Sequence, residues 1–131
     1  MAGNIVANDL SSSTGGIPSL GGNNVENRMC SAWVNFDGSG TVSIRDGYNV
    51  SSITDNGTGN YTVNFSTVMS SADYSTQATG GSASTYNPNP GIWTAFLNGT
   101  ATTSSVRVMF GYGVNNTIYD GDIIQVQVFG N

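Results

Sequence analysis

The chain predicts an all-β fold, an antiparallel β-sandwich of about eight short strands preceded by an extended N-terminal arm. Three observations carry that expectation. Composition is the first: the 131 residues include 18 glycines and three prolines, only 8% are charged, and Asn, Ser and Thr supply most of the polarity. These small polar residues compete with the backbone for hydrogen bonds and are poor helix-interior residues, so turns and strands are favoured. The second is a two-residue alternation of apolar and polar positions from Cys30 onward, the repeat of a strand with one buried face. The third is the clusters of Asp, Asn and Gly that interrupt the alternation at short intervals. A chain of this length holds one core, which gives an arm over residues 1–29 and a knob over residues 30–131.

In the arm, Ile5, Val6, Leu10, Ile17, Leu20 and Val25 are isolated apolar points among Ser, Gly and Asn. Alone, such a segment cannot bury enough apolar surface to order itself, so docking on a partner surface is expected, with Ile5, Val6, Leu10, Ile17 and Leu20 as anchors. In the knob, Cys30, Ala32, Val34 and Phe36 share one strand face and Ser31, Trp33 and Asn35 the other. DGSG at Asp37–Gly40 turns the chain into a strand containing Val42 and Ile44, which reads as a hairpin. A third strand is expected over Tyr48–Ile53, then a turn at Asp55 into the alternating Tyr61, Val63, Phe65 and Thr67. A bend over Met69–Asp73 leads to a strand over Tyr74–Thr79. Residues 80–91 then form a long loop, in which Pro88 and Pro90 lack amide donors. Strands follow over Ile92–Leu97, over the stretch that puts Val106, Val108, Phe110 and Tyr112 on one face, and over Ile123–Phe129 after a loop through Asn115–Asp122.

Charge and residue types narrow the chemistry. Eight acidic residues face Arg28, Arg45 and Arg107, for a formal charge of −5, with no lysine and no histidine. Three scattered arginines make no counterion-releasing patch, so nucleic acid is excluded as a partner, and anionic membranes are disfavoured likewise. No apolar run reaches the roughly 20 residues of a membrane span, and MAGNIVANDL lacks the basic start and apolar middle of a secretory signal. Cys30 is the only cysteine; it forms no internal disulfide and is expected to pack as a small apolar group. The Asn-x-Ser/Thr matches at Asn49, Asn56, Asn60, Asn64, Asn98 and Asn115 follow from composition.

Without imidazole or lysine, a nucleophilic triad or Ser-Lys dyad is absent. Paired carboxylates remain chemically conceivable among Asp37, Asp46, Asp55, Asp73, Asp120 and Asp122, but each stands beside or within two residues of Gly, Ser or Asn, in what reads as a turn where it would hold backbone amides. Calcium could use Asp55, Asn56 and Asn60, or Asp120 with Asp122, yet neither loop has the spacing of a calcium motif. No catalytic, metal or cofactor residue is therefore assigned. Aromatic residues are the better candidates for contact: Trp33 and Met109 for a subunit interface, and Tyr86, Trp93, Tyr112 and Tyr119 for a glycan or partner.

AWVNFDGSGTVSIRDGYNVSSITDNGTGNYTVNFST, followed by MSSADY at Met69–Tyr74 and the closing IIQVQVFG, resembles a module found at the C-terminal ends of bacteriophage tail-fibre and related virion proteins. There a WVNF strand, a G-x-G-T turn, an NVSSITDNGTG-Y-T-VNF hairpin, an M-x-x-A-x-Y segment and a terminal V-x-V-F-G recur in this order. The resemblance spans Cys30–Gly130, strongly to Tyr74 and loosely beyond. It implies a non-enzymatic virion structural protein, homotrimeric, made in the bacterial cytoplasm, with a compact β domain standing out from the particle. Because no long shaft precedes the module, and residues 80–91 carry their own sequence, the leading expectation is a head decoration docked on a capsid or tail protein through its arm. The alternatives are a receptor-binding tip for host surface polysaccharide and, more remotely, a carboxylate-dependent glycan hydrolase.

Overall fold

Alternation along four central strands sets the architecture. The computed structural model describes residues 19–20, 23–24, 29–81, 92–96, 101–112 and 117–130. Its strands are β1 (Ser19–Leu20), β2 (Asn23–Asn24), β3 (Cys30–Asp37), β4 (Ser43–Tyr48), β5 (Val50–Asp55), β6 (Asn60–Phe65), β7 (Ser75–Gly81), β8 (Ile92–Phe96), β9 (Ser105–Tyr112), β10 (Thr117–Ile118) and β11 (Ile123–Phe129). All these pairings are antiparallel, and the knob is a β-sandwich, as its composition and period indicate.

One sheet runs β4-β3-β11-β7. The other is centred on β6 and β9, with β5 outside β6. Met109 pairs with both Asn60 and Ala95, and Tyr112 with both Ile92 and Thr117. Hence β8 flanks one side of β9, while β6 and the short β10 share the other. The two inner faces interdigitate as the alternation requires. β3 supplies Ala32, Val34 and Phe36, β11 supplies Ile124, Val126 and Val128, β6 supplies Tyr61, Val63 and Phe65, and β9 supplies Val106, Val108 and Phe110, all buried with Met69.

Half-buried groups border this core: Val42, just before β4, Val50 and Ile53 of β5, and Ala78 of β7. Gly80 of β7 lies opposite Ile124, on the core face, and a Cβ there would overlap the ring of Phe110. Gly121 presses on the other edge of the same ring, 2.5 Å from its Cε1 if a Cβ were added. Two glycines thus make the slot that Phe110 fills, and Tyr119 meets that ring edge-to-face at 5.0 Å.

Several details differ from the sequence reading. Tyr48 ends β4 rather than opening a third strand, because Asn49 breaks the run: its φ is 55°, a left-handed conformation Asn tolerates. The Asn49 amide donates to Ser31 O at 3.1 Å and Thr67 O at 3.2 Å, and its Oδ1 accepts from Thr67 N at 2.7 Å, so the corner between the sheets is pinned. Thr67 lies beyond β6, which ends at Phe65. β7 runs on through Gly81, into the stretch expected as loop. The expected loop after Asn115 contains β10, which pairs with the end of β9. Cys30 is half-buried, its Sγ directed at Ala32 O and Val128 O, because a register shift between Val128 and Phe129 loosens the pairing there. Within the arm, Ser19–Leu20 and Asn23–Asn24 pair as a minimal hairpin where no periodicity is visible.

Candidate functional site

Of the anchors expected in the arm, Ile5, Val6, Leu10 and Ile17 lie outside the described residues, and Leu20 sits in β1 opposite Asn23. Tyr86 also lies outside them. Trp93 is in β8 opposite Gly111, and Tyr112 is the last residue of β9. Tyr119 is half-buried, its ring edge-to-face against Phe110 at 5.0 Å. Trp33 and Met109 do not share a surface. Trp33 is on the outer face of the β4-β3-β11-β7 sheet, while Met109, between the buried Val108 and Phe110, faces outward from the opposite sheet.

Register gathers a second set of residues around Trp33. Since Ala32, Val34 and Phe36 point inward, Trp33 and Asn35 point outward; on β11, Ile124, Val126 and Val128 point inward, so Gln125 and Gln127 point outward. Pairing places Gln127 opposite Trp33 and Gln125 opposite Asn35. Beyond them, Tyr48 and Asp46 of β4 continue the rows on one side, and Gln77 and Thr79 of β7 on the other. The face therefore carries a row Tyr48, Trp33, Gln127, Gln77 beside a row Asp46, Asn35, Gln125, Thr79. Cross-strand neighbours of this kind lie about 5 Å apart at Cβ, close enough to act on one ligand.

Trp33 is 36% and Tyr48 59% exposed, unusual for large aromatics on a sheet otherwise clothed in amides. Between Trp33, Asn35, Gln125 and Gln127 lies a shallow depression of about 160 Å³ floored by Val34 and Val126. Asn35 Oδ1 is buried there and has no hydrogen-bond partner among the described residues. Thr79 Oγ1 donates to Gln125 Oε1 across a long 3.4 Å, which leaves the Gln125 NH₂ group as the donor facing outward.

The opposite outer face is different in kind. Asn64 Nδ2 donates to Ser52 Oγ at 3.1 Å and Thr54 Oγ1 at 2.9 Å, Asn56 Nδ2 to Thr62 Oγ1 at 2.9 Å, and Arg107 Nε to Asn60 Oδ1 at 2.7 Å. These polar side chains satisfy one another across β5, β6 and β9.

Most of the carboxylates accept from nearby backbone or hydroxyl groups. Asp37 accepts from Ser39 N and Oγ and pairs with Arg45 at 2.8 Å; the Ser39 hydrogen bonds, helped by Arg45, hold its pKa below the ordinary aspartate value. Asp55 accepts from Gly57 N, Asp46 from Gly47 N, and Asp73 from Ser71 Oγ. Asp120 Oδ1 accepts from Gly59 N and from the buried Tyr61 hydroxyl, both at 2.8 Å. Burial, with Asp120 beside it, raises the Tyr61 pKa well above the usual phenol range. Asn56 and Asn60, weighed with Asp55 as calcium ligands, are turned to Thr62 and Arg107 instead.

Alternation alone puts Trp33 and Asn35 on one face, and the QVQV of the last strand signals two amides on another. Nothing in the local pattern says that these strands are neighbours. Comparison with protein-family models, with curated proteins and with solved structures yields no match.

Proposed function

We propose that this chain is a non-enzymatic structural protein of a bacteriophage virion, a head decoration that docks through residues 1–29 and displays the β-sandwich as a homotrimer. One observation carries the reading. Among the described residues, Asp37, Asp55 and Asp120 accept hydrogen bonds from turn and loop backbone amides, while one sheet keeps an outer face of exposed aromatics and amides. A rigid body with such a face is suited to presentation and contact. The resemblance over Cys30–Gly130 supplies the setting, and three copies would add weak contacts into useful avidity. The same face favours a second reading, a receptor-binding tip for host polysaccharide, over hydrolysis.

Removing residues 1–29 tests the docking. The shortened knob is expected to fold with unchanged β-sheet circular dichroism and to be missing from purified particles. Full occupancy by the shortened protein would overturn it.

A further inference from the structure

The outer face of the β4-β3-β11-β7 sheet has a lining specific enough to name a ligand class. We infer that the depression between Trp33, Asn35, Gln125 and Gln127 binds one ring of a neutral saccharide, stacked on the Trp33 indole and hydrogen-bonded through its hydroxyls to the exposed amides of Gln125 and Gln127. This deepens the recognition reading above and depends on the virion assignment only for its setting.

Size limits the ligand first. At about 160 Å³ the depression is roughly half the smallest pocket that encloses a drug-sized molecule, so it takes a single ring with the remainder of the ligand lying along the sheet. Polarity selects further. Asn35 Oδ1 is closed to solvent and lies below the rim, so the hydrogen-bonding groups within reach of a ligand are the exposed amides of Gln125 and Gln127. The outward NH₂ of Gln125 and the amide of Gln127 can donate to and accept from neighbouring hydroxyls. An aromatic plane beside alternating donors and acceptors matches the apolar C–H face and hydroxyl rim of a sugar.

Charge excludes the near alternatives. Among the described residues no Arg or Lys lines the depression, Asp46 stands directly across from Asn35, and the chain carries −5, so sulfated and uronic acid sugars are repelled. A second copy of the chain fits less well. The exposed aromatics, Trp33 and Tyr48, offer far less apolar area than a stable interface of roughly 800 Å² per partner.

The test uses the isolated full chain and reads side-chain NMR signals of the Trp33 indole N–H and the Asn35, Gln125 and Gln127 amides. Short oligomers of glucose, galactose, mannose, rhamnose and N-acetylglucosamine are titrated beside dextran sulfate and polygalacturonate. At least one neutral series is expected to shift these signals together, with a dissociation constant on the order of 1 mM per site, and the anionic polymers to shift none. Trp33→Ala should weaken binding at least tenfold, while Asn64→Ala on the opposite face leaves it unchanged. Gln127→Ala separates a ligand role from a structural one: its side chain is exposed, so the melting temperature should hold while binding falls about tenfold. Intact host cells should compete with soluble sugar for the wild-type chain if their surface is the source, and fail to compete if the ligand is a free oligosaccharide. Silence of all these signals across every neutral series, or shifts that follow protein concentration without sugar, would overturn the assignment. Neither result bears on particle association, which is measured separately.

Discussion

Replacing Gly80 by alanine places a methyl group on the ring of Phe110. The ring cannot slide away, because Gly121 closes on its opposite edge and Tyr119 packs against it. Overpacking of a filled core costs about 1–3 kcal/mol. Gly80 lacks a left-handed φ, so alanine also stiffens the unfolded chain and returns about 0.4–1 kcal/mol. The clash outweighs the stiffening, and Gly80→Ala should destabilise by roughly 0.5–2 kcal/mol. For a chain of this size that lowers the melting temperature by a few degrees. Gly81→Ala, one residue on, is the internal control: its Cβ meets nothing within 4 Å among the described residues, so only the stiffening of the unfolded chain remains. Urea unfolding of the purified chain, followed by circular dichroism, measures all three proteins. Gly80→Ala combined with Phe110→Leu should recover part of the loss beyond additivity, by about 0.5 kcal/mol or more. If Gly80→Ala were as stable as Gly81→Ala, the Phe110 slot, and with it the facing of β7 and β9 across the core, would be wrong.

Other expectations rest on separate features. Tyr61 and Tyr74 both have raised pKa values, chiefly through burial, so their contribution to stability is complete below the unfolded phenol value of about 10 and is lost as pH rises beyond it. Ultraviolet titration should show delayed phenolate formation that coincides with unfolding, and Tyr61→Phe should lessen the alkaline loss. At the Asn49 corner, Asn49→Gly keeps the φ of 55° but forfeits the side-chain hydrogen bonds, for about 1–2 kcal/mol, whereas Asn49→Ala adds roughly 1 kcal/mol of backbone strain. Thermal denaturation ranks the two, and the reverse order would contradict the pinned corner. Trp33→Ala should cost the fold little, about 1 kcal/mol or less by melting temperature, because over a third of the side chain is already exposed.

The central strands are legible in the chain because burial imposes a strict period: Ala32, Val34 and Phe36, then Tyr61, Val63 and Phe65, then Val106, Val108 and Phe110 each announce an inward face. The start of the third strand is not, because β4 is exposed along its length and offers no alternation, and the break at Tyr48 lies in the φ of the single Asn that follows. β10, of two residues, is too short to carry a pattern. Half of the site is visible locally, since Trp33 stands out as an aromatic on the wrong side of its strand. Its neighbours Gln127 and Tyr48 come from other strands, and pairing order across a sheet is a tertiary choice that local pattern does not encode. Trp33 and Met109 both look outward in their own strands, and only the two-sheet arrangement separates them.

Electron cryomicroscopy of intact particles, compared with particles lacking this chain, decides between decoration and any other placement. A head decoration gives difference density on the head surface the size of three β-sandwiches, with the Trp33 and Tyr48 face turned toward solvent. Identical maps from the two preparations, or density with that face buried against the shell, would contradict it.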